Sequence, residues 1–237
     1  MGLSHSIRKW ASDLLSMIYP ECCEVCGTRL VGDEKVICTG CYLEMPRCNI
    51  HNNPFNTLHQ RLAGHVVIER ATGYFYYYRG NPYTRLIHVA KYNGRPETGR
   101  ELAARFAGEI MDDGFFDGMD LIVPVPLHRF KKLKRGYNQT EYIAEGIARK
   151  TGLAINRNLI ALKPHSSQTR KNAFERWKNS LDIYGVKNPE ELENKHILLV
   201  DDVITTGSTM LACCEAIHRA APSATISVIA LGVTNLT

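Results

Sequence analysis

Hydrophobic positions in this chain follow two different periods. Near the C-terminus, Ile197-Leu198-Leu199-Val200 is an unbroken apolar run, which predicts a strand buried on both faces of a parallel sheet. It ends in Asp201-Asp202, and Thr205-Thr206-Gly207-Ser208-Thr209 then predicts a tight turn. A helical pattern over 211–220 and a final strand over 225–233 complete the sequence. Upstream, residues 71–78 read as an aromatic strand with Tyr74, Tyr76 and Tyr78 on one face. Such a face packs against helices or stacks bases of single-stranded nucleic acid. Asn81-Pro82 opens a helix with Leu86, Ile87 and Ala90 as its buried stripe. A second helix is expected over 97–111, with Leu102, Ala103, Phe106 and Ile110 inward, and a third over 140–150. Between them, a strand from Leu121 ends near Val123, because Pro124 cannot donate to a ladder. A short strand is expected over 183–186. Strands alternating with helices make this an α/β chain, a parallel sheet flanked by helices.

The first part of the chain follows a different pattern. Ile7, Trp10, Ala11, Leu14, Leu15 and Ile18 recur at helical spacing, with Ser4 or Ser6 as cap and Pro20 as stop. Residues 1–20 therefore read as an amphipathic helix that docks on its own domain or, with no polybasic face, less readily on a membrane surface or a partner. Two C-x-x-C pairs follow, Cys23/Cys26 and Cys38/Cys41, with glycines placed to turn the chain. Four thiolates so spaced make a closed, tetrahedral and structural zinc site. Cys22 is the alternative to Cys23, and Cys48 is spare. The stretch up to about Gly64 is polar and weakly patterned, so it reads as a linker. The expected organisation is a helix over 1–20, a four-cysteine module with linker over 21–64, and the α/β domain over 65–237.

Composition narrows this picture. Of 237 residues, 44% are hydrophobic, enough for one medium domain and a small module. No apolar run nears the ~20 residues that span a bilayer, and no signal peptide is evident. The expectation is a cytoplasmic protein with reduced or metal-bound cysteines. Net charge is +5. The segment 128–135, His-Arg-Phe-Lys-Lys-Leu-Lys-Arg, concentrates it. It reads either as a solvated loop or as a binder of nucleotide or nucleic-acid phosphates. Residues 161–179 are again basic and polar, with Trp177 as a core anchor or a stacking platform. Cys213 and Cys214 read as small core residues.

The candidate chemistry centres on the strand–turn–helix junction. Backbone N–H groups and hydroxyls of residues 205–209 converge at a helix N-terminus, whose dipole suits a phosphate. Asp201 and Asp202 stand beside the same spot, placed to accept from sugar hydroxyls.

This Asp-Asp-x-x-Thr-Thr-Gly-Ser-Thr stretch resembles the phosphoribosyl-pyrophosphate (PRPP) signature of type I phosphoribosyltransferases. The wider series is more specific: the cysteine module, Tyr78-x-Gly80, Lys91-Tyr92-x-Gly94, Pro124-Val125-Pro126, Arg135-Gly136-Tyr137-Asn138-Gln139, then Gln168, Arg176 and Asn179. It resembles the ComF family of competence and amidophosphoribosyltransferase-like proteins. That resemblance implies a zinc-ribbon-like module on a phosphoribosyltransferase fold, and a role in natural transformation beside a partner helicase, handling imported single-stranded DNA. It implies that Asp201 and Asp202 meet ribose hydroxyls and that Thr205, Thr206, Gly207, Ser208 and Thr209 hold a 5′-phosphate. Lys91 falls at a pyrophosphate-contacting turn. Arg129, Lys131, Lys132, Lys134, Arg135, Asn138 and Gln139 match a mobile loop over pyrophosphate or nucleic-acid phosphate, and magnesium would accompany PRPP. Some base-transferring relatives carry an acid where this chain has Thr205, so that proton route is absent, although members without the acid are also enzymes. With one strand after the signature helix, no hood for a base is expected. The favoured function is a DNA-uptake protein that binds phosphoribosyl groups of PRPP, nucleotide or single-stranded DNA. The alternative is an active PRPP-dependent transferase, and a redox or metal-handling role has least support.

Overall fold

The computed structural model describes residues 20–163 and 183–234. The expected helix before Pro20, and the segment with Gln168, Arg170, Lys171, Arg176, Trp177, Lys178 and Asn179, lie outside the described residues. The chain divides into two compact units, the first ending at Met45 and the second beginning at Pro46.

In the first unit the chain doubles back on itself. Cys23 N–H donates to Thr28 O and Leu30 N–H to Glu21 O, both at 2.8 Å. A second turn leads from Val36 to Cys38 and into helix α1 (Thr39–Leu43), which has no buried residue. Thr39 N–H and its hydroxyl both donate to Glu34 at 2.7 Å, anchoring that start. Among the described residues of this unit, Cys23, Glu24, Ile37 and Met45 are buried, too few by themselves for an apolar core.

The second unit is built on a five-stranded parallel sheet in the order β1-β7-β6-β2-β3. Its strands are β1 (Ala71–Tyr76), β2 (Leu121–Pro124), β3 (Ala154–Ile155), β6 (His196–Ile204) and β7 (Thr225–Val233). An antiparallel ribbon of β4 (Leu159–Ala161) and β5 (Tyr184–Val186) stands apart from it. The helices are α2 (Thr57–Ala63), α3 (Thr84–Tyr92), α4 (Glu97–Ile110), α5 (Arg129–Arg135), α6 (Gln139–Thr151) and α7 (Ser208–Ala220).

Because side chains alternate across a strand, β6 feeds two cores. Ile197 and Leu199 join Leu58 and Leu62 of α2, Met210, Cys213 and Ile217 of α7, and Leu159 and Tyr184 of the ribbon. Leu198 and Val200 face the other way, on the side of α3 and α6. There α4 and α6 pack with little space between them, since a Cβ on Gly146 would lie 2.2 Å from Arg100 O. Tyr74 shows that the aromatic strand is a packing element. Its ring stacks on Phe106 at 4.5 Å, and its hydroxyl donates to Glu109 at 2.6 Å.

Most expected elements are present, including the strand over 225–233, the buried stripes of α3 and α4, and buried Cys213 and Cys214. Four details differ. Strand β6 does not stop at Val200 but runs through both aspartates, because β7 keeps pairing with it as far as Ile204↔Val233. Strand β2 includes Pro124; its neighbour β3 pairs only with Leu121 and Ile122, so the missing N–H falls past that strand's end. The basic run is a helix, α5, rather than a loop. His128 caps its start and Gly136 its end, and no residue of it is buried. The polar stretch expected as a linker carries α2, with Asn56 as N-cap and Leu58, His59 and Leu62 buried.

Candidate functional site

Strand β6 delivers Asp201 to the mouth of an open pocket of about 160 Å³. Residues 203–210 form the rest of its wall. Gly207 caps α7 at φ 86°, and a Cβ there would sit 2.8 Å from the Leu62 side chain. Both the left-handed backbone and the close approach of α2 require glycine. Thr206 and Ser208 hydroxyls are 2.6 Å apart, and Ser208 N–H points at Thr206 Oγ1 at 3.4 Å. The pocket thus combines hydroxyls, loop N–H groups and the positive end of a 13-residue helix.

The two aspartates, adjacent in sequence, project to opposite faces. Asp201 lies towards α7, with Tyr184 and Cys213 as electrostatic neighbours. Burial, then the charge of Asp202, pushes its carboxyl up to about 8, and the Asp202 N–H and Lys91 only partly offset this. A carboxyl whose pKa is so raised sheds its proton less readily, which lessens its repulsion of an anion. Asp202 lies towards α3 and α6. Its Oδ1 meets Lys91 Nζ at 2.8 Å, and its Oδ2 accepts from Gln139 Nε2 at 2.6 Å. Burial opposes the charge on Lys91, yet Asp202, helped by Asp201, leaves its pKa above the ordinary lysine value.

The motif 135–139 supplies the remaining members of this network. Arg135 donates to Gln139 Oε1 and stands over the Tyr92 ring at 5.1 Å. Tyr137 hydroxyl donates to Ala90 O at 2.9 Å. Asn138 caps α6 and donates to Val125 O at 3.1 Å, while Thr140 Oγ1 donates to the same carbonyl at 2.6 Å. Each polar member of the motif therefore holds the ends of α3, β2 and α6 around Asp202.

Residues 144–233, from α6 to the end of β7, match the phosphoribosyl transferase domain. The chain is 34% identical over 95 residues to Competence protein F of Haemophilus influenzae, covering 38% of this chain and 41% of that protein. It is 26% identical over 208 residues to DNA utilization protein YhgH of Escherichia coli, covering 83% and 84% of the two. The chain is thus similar to competence and DNA-utilization proteins of the ComF type, and its parallel sheet with flanking helices is of the phosphoribosyltransferase type. Among solved structures, an adenine phosphoribosyltransferase from Leishmania tarentolae is similar at 13% identity and a TM-score of 0.38, over 75% of this chain and 88% of that one.

Within the second unit, several of the described motif residues cluster around the end of β6. Asp201, Thr205, Thr206, Gly207, Ser208 and Thr209 line one pocket. Lys91, Arg135 and Gln139 join through Asp202 on the other face. Arg129, Lys131, Lys132 and Lys134 are on the exposed helix α5, outside the pocket wall. Lys132 pairs with Glu141 at 3.1 Å, and Arg129 lies over the Phe130 ring at 5.2 Å.

Two residues absent from the sequence reading also reach the loop. Arg61 of α2 donates to Thr205 O at 2.8 Å and to Thr234 O at 2.9 Å. Nothing local in the sequence marks them, since Arg61 and Thr234 lie far from residue 205 along the chain.

In the first unit, the sulfurs of Cys23, Cys26, Cys38 and Cys41 all lie within 4.8 Å of one another. The Cys26–Cys38 separation is 3.7 Å, too long for a disulfide of about 2.05 Å. It matches the ~3.8 Å edge of a tetrahedron with metal–sulfur bonds of about 2.3 Å. Cys38 N–H points at Cys23 Sγ at 3.3 Å, the kind of second contact that orients a thiolate ligand. Hydrogen bonds from Thr28 bring Cys26 down to about 6, so one thiolate is available at neutral pH. The donor set therefore fits a closed zinc site. Cys22 instead points at Pro20 O, and buried Cys48 lies outside the cluster. Among the described residues no helix is long and apolar enough to cross a membrane.

Proposed function

We propose that the chain binds the 5′-phosphate and ribose of PRPP or a nucleotide at the β6–α7 turn, in a role connected with DNA uptake. The observation that carries this is the single pocket shared by Asp201 and residues 205–209 at the N-terminus of α7. Its donors suit a phosphate, and its carboxyl suits a ribose hydroxyl. The connection with DNA rests on relatives named for competence and DNA utilization.

Several finer assignments follow from the same reading. Cys23, Cys26, Cys38 and Cys41 hold structural zinc, which would supply the turns of the first unit with stability beyond their few buried residues. Magnesium accompanies PRPP, since the pyrophosphate charge needs bridging. Arg129, Lys131, Lys132 and Lys134 on α5 meet phosphates of single-stranded DNA, a helicase is the partner, and the protein works in the cytoplasm. Asp202 becomes a ribose ligand only by sharing with Lys91 and Gln139. The domain over 65–237 takes α2 as its support.

Calorimetric titration with PRPP and magnesium, with nucleoside monophosphates and with short single-stranded DNA tests the reading. PRPP or a nucleotide should bind, and Gly207→Val should abolish binding while the sheet stays folded. Binding of neither by the wild-type protein overturns the pocket assignment. Pyrophosphate release from labelled PRPP with a nucleobase panel would assign turnover in addition to binding. For DNA, affinity should fall steeply with salt; a salt-independent affinity removes α5 from the function.

A further inference from the structure

We infer that Arg61 is a positioning residue for the phosphate-binding turn, fixing its first peptide and leaving a positive charge behind it. This inference rests on the proposed phosphate site and adds to it a residue on a distant element.

The geometry is specific. Arg61 projects from α2, and its two terminal nitrogens reach two carbonyls, Thr205 O at 2.8 Å and Thr234 O at 2.9 Å. Thr234 closes the clamp from the end of β7. Its Oγ1 donates to Thr205 O at 3.2 Å, and its N–H to Ile204 O at 3.0 Å. The Thr205 carbonyl therefore accepts from two side chains at once. No peptide bond in the described chain is cis. In a planar trans peptide the N–H points away from the C=O. Holding the Thr205 carbonyl against Arg61 thus turns the Thr206 N–H towards the opposite side of the turn, where the pocket lies. Leu62, the next residue of α2, packs where a Cβ of Gly207 would be. The same helix therefore supports both ends of the turn.

The charge matters as well as the shape. Arg61 is half-buried, and burial lowers its pKa from the ordinary arginine value. A guanidinium nevertheless stays protonated in proteins. Among the described residues its partners are backbone carbonyls, and no carboxylate pairs with it. Its positive charge is thus not neutralised at the back of a turn that already presents a helix N-terminus. Lysine would keep the charge but lose the fork that spans two carbonyls. Glutamine would lose the charge and retain one donor group.

The test uses the full chain with Arg61→Gln and Arg61→Lys, and reads two things. Hydrogen exchange at the amides of residues 205–209 needs no ligand. Arg61→Gln should speed exchange there at least tenfold while strands β6 and β7 keep their protection. Inorganic pyrophosphate titration reads the charge: Arg61→Gln should weaken binding at least tenfold and flatten its salt dependence, and Arg61→Lys should recover part of both. If exchange in the turn is unchanged in Arg61→Gln, the positioning role is overturned whatever binds. If the turn loosens but affinity is unchanged, its bearing on phosphate is overturned. If the turn loosens and the wild-type protein binds neither pyrophosphate nor PRPP, the phosphate site itself fails while the clamp stands. A merely structural arginine would lower the unfolding temperature of both variants alike and leave the salt dependence unchanged.

Discussion

The two units solve the same problem, holding a turn of small and polar residues in one shape, by opposite means. In the first, the turns at Cys23–Cys26 and Cys38–Cys41 have few apolar residues behind them among the described residues, with Ile37 and Met45 the buried hydrophobics besides cysteine. What converges there is four sulfurs. In the second, the turn after β6 is backed by a strand with apolar neighbours on both faces, by Leu62 against Gly207, and by Arg61 on its carbonyl. The first pair of turns has four sulfurs where the turn after β6 has apolar neighbours. The latter is held by burial before any ligand arrives. Removing a single contact should therefore act all at once in the first unit and by degrees in the second.

Metal removal tests this most strongly. Structural zinc sites contribute about 10 kcal/mol or more of apparent folding free energy. Chelation, or Cys23→Ser with Cys38→Ser, should abolish protection of residues 20–45 in hydrogen exchange and leave the sheet's unfolding transition in place. Purified protein should carry zinc, measured by atomic absorption. A fully protected first unit without metal would break the comparison.

In the second unit, Asp202→Asn removes the carboxylate from Lys91 and leaves a mostly buried cation with a weaker partner. The expected cost is up to about 3 kcal/mol, read by denaturant titration, and Lys91→Met in the same background should recover part of it. Gly146→Ala should cost about 1–3 kcal/mol, because its Cβ would meet backbone of α4 at 2.2 Å. It should leave zinc content untouched.

A smaller effect concerns pH. The folded carboxyl of Asp201 is raised to about 8, against ~4 for a free aspartate. Between those values the folded state holds a proton that the unfolded state has released, so this group's contribution to stability falls as pH rises from ~4 to ~8 and is constant above. Asp201→Asn should flatten that part of a stability–pH profile. The smallest effect is Thr72→Val. The Thr72 hydroxyl is buried in β1 without a hydrogen-bond partner among the described residues. Replacing it with a methyl should raise stability by up to about 1 kcal/mol, because a desolvated and unpaired group is lost.

How far the sequence could be read depended on whether a pattern was local. Strand β7 and helix α4 have long apolar patterns of a single period, and each appeared at its expected place. Helix α2 has only Leu58 and Leu62 at helical spacing, with Asn56 as cap, among polar residues. That signal is present but short, and it read as linker. Helix α5 buries nothing, so no periodicity marks it; its helicity rests on lysine, arginine and leucine between His128 and Gly136. The four cysteines were legible because C-x-x-C places both ligands on one turn. The choice of Cys23 over Cys22 was legible for the same reason, and it is the Cys23 sulfur that lies in the cluster.

The chemistry of the phosphate-type turn was written locally. Threonine, glycine and serine between a strand and a helix bring hydroxyls and N–H groups together whatever else the chain does. What the sequence could not determine was where β6 ends, since that depends on how long β7 keeps pairing with it. Because the pairing runs to Ile204↔Val233, both aspartates lie within the strand and its two-residue period sends them apart. Asp201 goes to the pocket and Asp202 to Lys91 and Gln139. Tertiary structure alone also brought Arg61 to Thr205, because hydrogen bonds between residues so distant in sequence are set by packing and leave no local pattern.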